Sequence, residues 1–377
     1  MQFSFSAEQE EFRGVLRRFL EERSPTAEVR RLMETPEGFD REVWKQACSD
    51  LGLSGIHLPE EYGGQGFGFV ELGIALEESG RALLCAPFFA SAVLAANAVL
   101  LGATEAQRKE ILPAIASGET IATLALTEPD GRWEVPAIAL TATPTSDGWR
   151  LDGTKSFVLD GHTADQIVVA ARLPDTTGTD GIGLFVVPGD AAGLDRRLLP
   201  TLDATRKLAR LAFSGVPAEP LGEPGTGAEA LERTLDLASI GLASEMVGGA
   251  QKVLEQTTEY AKVRVQFGRP IGSFQAIKHR LAELLLEVEL AKSAAYFAAQ
   301  AAAADDPELP ALASLANACC SDGYRNVASE SIQIHGGVGF TWENDTHLYF
   351  KRARSSELFL GDPAAQRERM LAKWGIA

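Results

Sequence analysis

One segment in the C-terminal half of this chain carries side chains suited to binding a diphosphate-containing molecule with a ring system. It spans residues 264–276 and reads RVQFGRPIGSFQA. The Arg264 guanidinium can form paired, charge-assisted hydrogen bonds to a diphosphate, Phe267 can stack on a ring, and Gln275 offers both a donor and an acceptor. Ser273 can cap a following helix. Composition alone favours a simpler interpretation, a capped turn between two helices with solvated charges.

A second segment, residues 333–340, is rich in glycine and reads QIHGGVGF. Its glycines, Gly336, Gly337 and Gly339, allow a backbone to approach a phosphate or a ribityl chain closely. Gln333 opens the same segment. The alternative interpretation is the C-terminus of a helix followed by a turn, without any binding role.

Other catalytic patterns are absent from the sequence. The histidines are scattered and form no HExxH or HxH pair, and neither a GxSxG motif nor a Walker loop occurs. The cysteines, Cys48, Cys85, Cys319 and Cys320, have no CxxC spacing, and the adjacent pair argues against a disulfide framework. We therefore predict no metal site and expect a bound organic cofactor to supply any redox chemistry.

The charge balance narrows the range of partners. Lys and Arg number 35 against 52 Asp and Glu, a net charge of −17. Such a surface repels phosphate backbones and anionic lipids, so we expect neither a nucleic-acid nor a membrane partner. Residues 84–103 carry no charge, but Pro87, Asn97 and many alanines favour a buried helix over a membrane span. The N-terminus lacks the regions of a signal peptide, and the cysteine usage suits a reducing compartment, so we expect a cytoplasmic protein.

The predicted secondary structure that must position these segments is helical at both ends of the chain. Ser6 and Gln9 have the spacing of a capping box, and apolar residues then recur at helical spacing. Further N-terminal helices are predicted over residues 40–51, 69–81, 90–101 and 105–112. The C-terminal helices are predicted over residues 228–265, 274–304, 311–334 and 363–374. These last helices are long enough to form a bundle.

The middle of the chain, from about residue 120 to residue 221, predicts strands, because short apolar runs alternate with turn residues. The predicted strands cover residues 121–127, 138–143, 149–152, 166–171, 183–187 and 208–213. No helix long enough for a parallel crossover intervenes. The predicted fold class is therefore α+β and multidomain, with an N-terminal all-α domain (1–118), a middle antiparallel β-domain or small barrel (119–223) and a C-terminal four-helix bundle (224–377).

Five segments, in this order, resemble the acyl-CoA dehydrogenase family over essentially the whole chain. They are residues 59–66 (PEEYGGQG), 126–129 (LTEP), 151–155 (LDGTK), 264–276 and 333–340. Each segment alone is weak evidence for the family, but five segments in this order, together with the α–β–α order of elements, are specific evidence. The resemblance implies a flavoprotein oxidoreductase of lipid metabolism and fatty acid β-oxidation, which oxidises an acyl-CoA thioester to the trans-2-enoyl thioester. It also implies an FAD cofactor and a tetramer.

The resemblance further implies roles for individual residues. Arg264 would reach the diphosphate of an FAD held mainly by a neighbouring subunit, with Phe267 and Gln275 around the same cofactor. Thr127 would meet the pyrimidine edge of the flavin, and Phe157 would keep an aromatic ring over it. Beside the adenosine and diphosphate portion would lie Gln333, Gly336 and Gly337.

The catalytic carboxylate of the family is missing from both of its usual positions. In the family a glutamate removes the α-proton while the β-hydrogen passes as hydride to the flavin. Aligned on the glycine that follows, Leu360 occupies the first position, and leucine cannot accept a proton. The second position, on the first long C-terminal helix, holds Ala238. Glu245, two turns further on, is a candidate surrogate base, although a bundle salt bridge is the favoured interpretation; Glu357 and Asp362 are weaker candidates.

Two further differences concern the expected substrate and flavin contacts. Where the family has Gly-Ser-Asp after Thr-Glu-Pro, this chain has Arg132-Trp133-Glu134, which removes a contact to pantetheine. Leu159 stands where the family has a hydroxyl that hydrogen-bonds the flavin. We therefore expect flavin binding to be retained in part and substrate chemistry to be reduced.

The leading functional prediction is a subunit that pairs with a glutamate-bearing paralogue in an α2β2 tetramer and acts on a bulky or sterol-derived acyl-CoA. An electron-transfer flavoprotein would be the electron acceptor. The alternatives are a non-catalytic structural or binding paralogue, and a homotetrameric flavoenzyme with a surrogate base such as Glu245. Apolar faces on the long helices, for example Leu281, Leu284, Leu285 and Val288, predict subunit contacts.

Overall fold

The computed structural model describes residues 5–376, which divide into two compact units. The helical unit contains the residues up to Arg30, Phe69–Leu84 and the residues from Ser239 onward. The β-unit contains Arg31–Gly68 and Cys85–Ala238. The N-terminal helices are thus divided between the two units.

The N-terminal third is helical, as predicted. Its α-helices are α1 (Ala7–Arg23), α2 (Thr26–Met33), α3 (Arg41–Leu51), α4 (Phe69–Ala82), α5 (Ala96–Gly102) and α6 (Glu105–Ala116). The capping box of α1 is confirmed, since the Gln9 N–H donates to Ser6 Oγ at 3.2 Å and the Ser6 N–H donates to Gln9 Oε1 at 2.9 Å. The predicted buried helix within residues 84–103 is a π-helical segment, Phe89–Ala95, that runs into α5. No described helix is long and apolar enough to cross a membrane.

The middle of the chain forms the predicted small barrel. Its strands are β1 (Ala122–Ala125), β2 (Thr141–Thr145), β3 (Gly148–Leu159), β4 (Gln166–Arg172), β5 (Ile182–Pro188), β6 (Leu194–Leu198) and β7 (Leu208–Leu221). Strands β2, β3, β7, β5 and β4 pair in a closed ring, while β1 adds to β4 and β6 adds to β7. Most pairings are antiparallel, but β4 pairs in parallel with β1 and β2. Strand β4 therefore runs in the same direction as β1 and β2; it starts beside the start of β1, where Ala122 pairs with Gln166, and its last residue, Arg172, pairs with Thr141 at the start of β2.

The C-terminal helices are α7 (Ala228–Val263), α8 (Gln275–Ala303), α9 (Leu309–His335), α10 (Thr346–Leu358) and α11 (Pro363–Lys373). Four of them match the predicted helices, whereas α10 was not predicted. The prediction that Ser273 caps α8 was wrong. A 3₁₀ turn over Ile271–Ser273 moves the N-cap position to Phe274, and the Ser273 hydroxyl donates to the Pro270 carbonyl at 2.7 Å instead.

A cluster of charges, most of them buried, joins helices of the helical unit that are far apart in sequence. Arg13 of α1 contacts Glu77 of α4 at 2.9 Å and Glu78 at 3.2 Å, and Arg17 contacts Glu78 at 2.6 Å. The Tyr296 hydroxyl of α8 donates to the second oxygen of Glu77 at 2.9 Å. Three helices therefore share one network of charge-assisted hydrogen bonds.

Helices α4 and α7 cross at two glycines. A Cβ on Gly80 would lie 2.0 Å from the Glu245 carbonyl oxygen, and a Cβ on Gly248 would lie 1.8 Å from the Glu77 carbonyl oxygen. Only glycine allows the two backbones to come so close. The spacing of these glycines therefore sets the depth of the crossing.

We expect Gly248→Ala to lower the free energy of unfolding by roughly 1–3 kcal/mol or more, because its new methyl group meets backbone rather than a flexible side chain. Gly14→Ala is the matched control, since Gly14 lies within α1 with nothing within 4 Å of its added Cβ. That control should gain about 0.5–1 kcal/mol from helix propensity. Urea unfolding followed by circular dichroism measures both, and equal effects would contradict the close crossing.

Candidate functional site

In the β-unit, Thr127 and Phe157 are linked through the backbone. The N–H of Ser156, directly before Phe157, donates to the Thr127 carbonyl at 2.8 Å. Thr127 is buried, whereas the Phe157 side chain is 41% exposed. Phe157 has a φ of +57°, and its position in β3 coincides with a shift in the β3–β7 register between Lys155 and Val158. The structure therefore brings these two residues together, with the aromatic side chain partly exposed.

A buried ion pair connects residues that are close in sequence to Thr127 and Phe157. The Lys155 side chain is 0% exposed, and its Nζ donates to the Leu126 carbonyl at 2.8 Å and to Glu128 Oε1 at 2.9 Å. The same carboxylate accepts the backbone N–H groups of Ala139 and Leu140 at 2.9 and 2.7 Å. The LTEP and LDGTK segments thus meet at this ion pair. Sequence reasoning identified both segments but missed the pair, because Lys155 lies beyond the strand predicted over residues 149–152 and no periodicity connects it to Glu128.

Burial and the opposite charge of the partner shift the pKa of each residue of this pair in opposite directions. Burial lowers the pKa of Lys155 to about 8, because the desolvation of the ammonium outweighs the attraction of Glu128. Burial favours the protonated carboxyl of Glu128, but Lys155 and the two N–H groups outweigh it and hold the pKa of Glu128 below its usual value.

In the helical unit, the segment predicted to bind a diphosphate forms a short hairpin. Val265–Gln266 pairs with Arg269–Pro270 around a turn in which Phe267 and Gly268 have φ values of +53° and +79°. The Phe267 side chain is 91% exposed, and Arg264 and Gln275 are exposed as well. The hairpin therefore presents an arginine, an aromatic ring and an amide that the helical unit itself does not cover.

The glycine-rich segment lies beside this hairpin in the same unit. Helix α9 ends at His335, whose ring stacks on Tyr260 near the end of α7 with centroids 4.2 Å apart. Gly336 follows with a φ of +61°, and neither Gly336 nor Gly337 has any heavy atom within 4 Å of an added Cβ. Packing within the unit does not require a glycine at 337, so the open space there suits a bound group. Gln333 is exposed on the same segment.

The positions expected to hold a catalytic base carry no carboxylate. Leu360 is buried, has a φ of +66° and precedes Gly361 at a φ of +98°. Its carbonyl accepts the Gln366 side-chain amide at 2.6 Å. Ala238 is fully buried within α7 and belongs to the β-unit. Neither side chain can take up a proton.

The neighbouring acidic residues each have a structural partner. Glu245 is buried and accepts a hydrogen bond from Arg352 of α10, which is also buried. Glu357 contacts Arg354 and Arg325, and the Asp362 carboxylate accepts the Ala365 N–H at 2.8 Å at the start of α11. These contacts favour the salt-bridge interpretation of Glu245 over a role as base. Arg352 was missed because α10 itself was not predicted.

A metal centre has no support in the part of the chain that the structure describes. Residues 5–376 contain no group of three or more His, Cys, Asp or Glu side chains arranged to hold a metal ion.

Comparisons with known proteins cover nearly the whole chain. Family models described as the N-terminal, middle and C-terminal domains of acyl-CoA dehydrogenase match residues 6–119, 123–216 and 225–374. The chain is 35% identical to acyl-CoA dehydrogenase IpdE2 of Mycobacterium tuberculosis over 338 residues, which cover 89% of this chain and 88% of that protein.

Solved structures are similar over the same extent. A variant of the Tcur3481-Tcur3483 steroid ACAD is 33% identical with a TM-score of 0.88, and 98% of each chain is covered. The ChsE4-ChsE5 complex from Mycobacterium tuberculosis is 27% identical with a TM-score of 0.90, and 100% of each chain is covered.

We expect Arg352→Met to lower the free energy of unfolding by roughly 3–5 kcal/mol, because it leaves the Glu245 carboxylate buried without its arginine. The matched control is Arg354→Met, two residues further along α10, which removes a partly exposed ion pair with Glu357 and should change stability by less than about 1 kcal/mol. Urea unfolding of the two variants decides it. Equal, small losses would show that Glu245 does not depend on Arg352.

Proposed function

Because the chain belongs to the acyl-CoA dehydrogenase family of flavoprotein oxidoreductases that act on CH–CH bonds, we propose that it binds FAD as the glutamate-lacking subunit of an α2β2 complex. The complex would dehydrogenate a bulky or sterol-derived acyl-CoA at its α,β-bond. An electron-transfer flavoprotein is the electron acceptor in this proposal. The observation that carries it is Leu360, an apolar residue fixed in the left-handed conformation where the base is expected.

The residues present fit an FAD cofactor. The exposed Arg264 guanidinium would bind the diphosphate of the FAD held by a neighbouring subunit, and the open space at Gly336 and Gly337 would let backbone approach a diphosphate. In the FAD that this chain itself holds, Phe157 would lie over the ring system and Thr127 at its pyrimidine edge. The flavin, when bound, supplies the hydride acceptor for the β-carbon.

The second half of the reaction, removal of the α-proton, needs a carboxylate that this chain does not offer. Leu360 and Ala238 cannot accept a proton, and Glu245 is engaged by Arg352. A paralogue with a glutamate at the corresponding position would supply the base at its own site. This chain would then contribute Arg264 and Phe267 of the hairpin to the cofactor site of its neighbour. The ChsE4-ChsE5 and Tcur3481-Tcur3483 relatives, each named for two chains, support such pairing.

The surface of α8 supports assembly. Leu285, Leu286 and Leu290 are exposed, and Leu290 adjoins a groove of about 570 Å³ between α8, α9 and α11. The prediction that Leu284 and Val288 form subunit contacts was wrong, because both are buried in the core of the helical unit. An exposed row of leucines is typical of a protein–protein contact.

The altered 130–134 segment supports a substrate unlike that of simple fatty acyl-CoA enzymes. Arg132 Nε donates to Asp130 at 2.7 Å, and both side chains are largely exposed. Arg132-Trp133-Glu134 stands where the family has the Gly-Ser-Asp that contacts pantetheine. The steroid ACAD relative supports a sterol-derived acyl group.

We expect the protein, with its partner, to bind FAD non-covalently. Arg264→Ala should weaken FAD binding roughly 10- to 150-fold, which corresponds to the 1.5–3 kcal/mol of a charge-assisted hydrogen bond. Lys262→Ala is the matched control, because Lys262 is an exposed cation paired with Glu259 at the same end of α7. Flavin absorbance after desalting and fluorescence titration measure the retention. A protein that never binds FAD, even beside its partner, would overturn the proposal.

We expect the chain alone to oxidise acyl-CoA at a rate ~10²–10⁴-fold below that of its complex with a glutamate-bearing paralogue, because no positioned base is present. Leu360→Glu should restore part of this rate. Leu358→Glu, which places the same carboxylate on an exposed position two residues earlier, should not.

Dye-linked turnover with a sterol-side-chain CoA ester, together with native mass spectrometry of the co-expressed chains, tests both statements. Fast oxidation by the pure wild-type chain would contradict them, and its loss in Glu245→Gln would then identify the base as Glu245. A complex that assembles without added turnover would favour a structural role for this chain.

A further inference from the structure

The Lys155–Glu128 pair brackets one of the residues expected to meet the flavin. Lys155 Nζ binds the carbonyl of Leu126 on one side of Thr127 and the carboxylate of Glu128 on the other. Glu128 is held in turn by the N–H groups of Ala139 and Leu140, at the far end of the β1–β2 connection. One ammonium therefore fixes the chain on both sides of Thr127.

The same lysine lies two residues before Phe157. Between Lys155 and Val158 the β3–β7 register shifts, and the Ser156 N–H turns to the Thr127 carbonyl. Phe157 then takes a positive φ, which is unfavourable for a bulky side chain and persists only where the surroundings enforce it. The bond from Ser156 and the anchor at Lys155 supply that enforcement.

Stability alone is a poor reason for this arrangement. A lysine with no exposed surface loses its hydration, and a packed apolar pair often stabilises a core as well as a buried ion pair does. What an apolar pair cannot do is hold a carbonyl, a carboxylate and two N–H groups at fixed distances. The arrangement is better suited to setting positions than to adding stability.

We propose that Lys155 and Glu128 are positioning residues, whose ion pair fixes Thr127 and Phe157 against the ring system of the bound flavin. This inference rests on the proposed function, which puts a flavin against those two residues. The charged groups that act on Lys155 are Glu128 and Asp130, both in the β1–β2 connection. Since burial lowers the pKa of Lys155 to about 8, the ammonium loses its proton, and its hold on Glu128, within an accessible pH range.

The experiment uses the full chain, with its partner where the complex is needed for FAD binding, and FAD itself as the ligand. The variants are Lys155→Met, the nearly isosteric Glu128→Gln, and Arg150→Met as the matched control. Arg150 lies on the same strand and pairs with Asp147 at the exposed end of β3. The measurements are the FAD dissociation constant, the visible spectrum of bound flavin from pH 6 to 10, and the thermal midpoint without FAD.

In the wild type and in Arg150→Met, the flavin spectrum should change with a midpoint near pH 8. Glu128→Gln should move that midpoint to lower pH, because the buried ammonium loses its counter-charge. Lys155→Met should remove the pH-dependent change. It should also weaken FAD binding about tenfold, because residues that are no longer held in place against the flavin would lose the equivalent of roughly one well-placed hydrogen bond. If Lys155→Met does not fold, the shift in Glu128→Gln decides the matter alone.

An unchanged flavin spectrum and pH profile in Glu128→Gln, with only a lower thermal midpoint, would show that the pair is structural and would overturn the inference. FAD binding by the wild type would still stand in that case. Failure of the wild type to bind FAD would instead overturn the proposed function, and this inference with it.

Discussion

The helical unit depends on the charged face of α4. Glu77 and Glu78 receive Arg13 and Arg17 from α1 and Tyr296 from α8, so residues more than 200 positions apart share one buried network. One turn later, Arg81 binds Glu255 of α7 through two hydrogen bonds, and its carbonyl accepts the Tyr349 hydroxyl of α10 at 2.7 Å. Removal of Arg13 would leave Glu77 buried without its arginine. The ends of α7 and α9, which carry the hairpin and the glycine-rich segment, are held by the helices that this network joins.

Local sequence patterns were sufficient to predict the order of the helices and strands, but not the long-range contacts between them. Helical and alternating periodicity predicted most helices and the barrel strands, because each of those elements buries one face. Strand β6 was missed because Asp195, Arg196 and Arg197 interrupt its apolar residues. Helix α10 was missed because its buried face includes His347 and Arg352, which a hydrophobicity pattern does not register as core. The pairing of Arg13 with Glu78 could not be predicted, since no periodicity connects positions 65 residues apart.

For the candidate site, too, the sequence predicted the residues but not their geometry. Its residues came from the family resemblance, and the structure supplies the geometry: the left-handed Phe157, the exposed hairpin and the open space at Gly337. The backbone around Leu360 keeps two consecutive positive φ values, while the side chain that would perform proton transfer is apolar. In the proposed subunit, the local backbone geometry would thus be present without the side chain that performs the proton transfer. Such a combination is expected where a subunit is kept for what it contributes to a neighbour.

The exposed hairpin also has a consequence for the cell that makes this chain. Phe267, Val265 and the α8 leucines form apolar surface that stays wetted until another chain covers it. In the proposed α2β2 complex, any molecules synthesised in excess of the partner would therefore be prone to self-association and to capture by chaperones and proteases. Matched production of the two chains, for instance from one transcript, would keep that excess small. If the chain pairs as proposed, the exposed turn at Phe267 and Gly268 thus bears on how the expression of two genes is balanced.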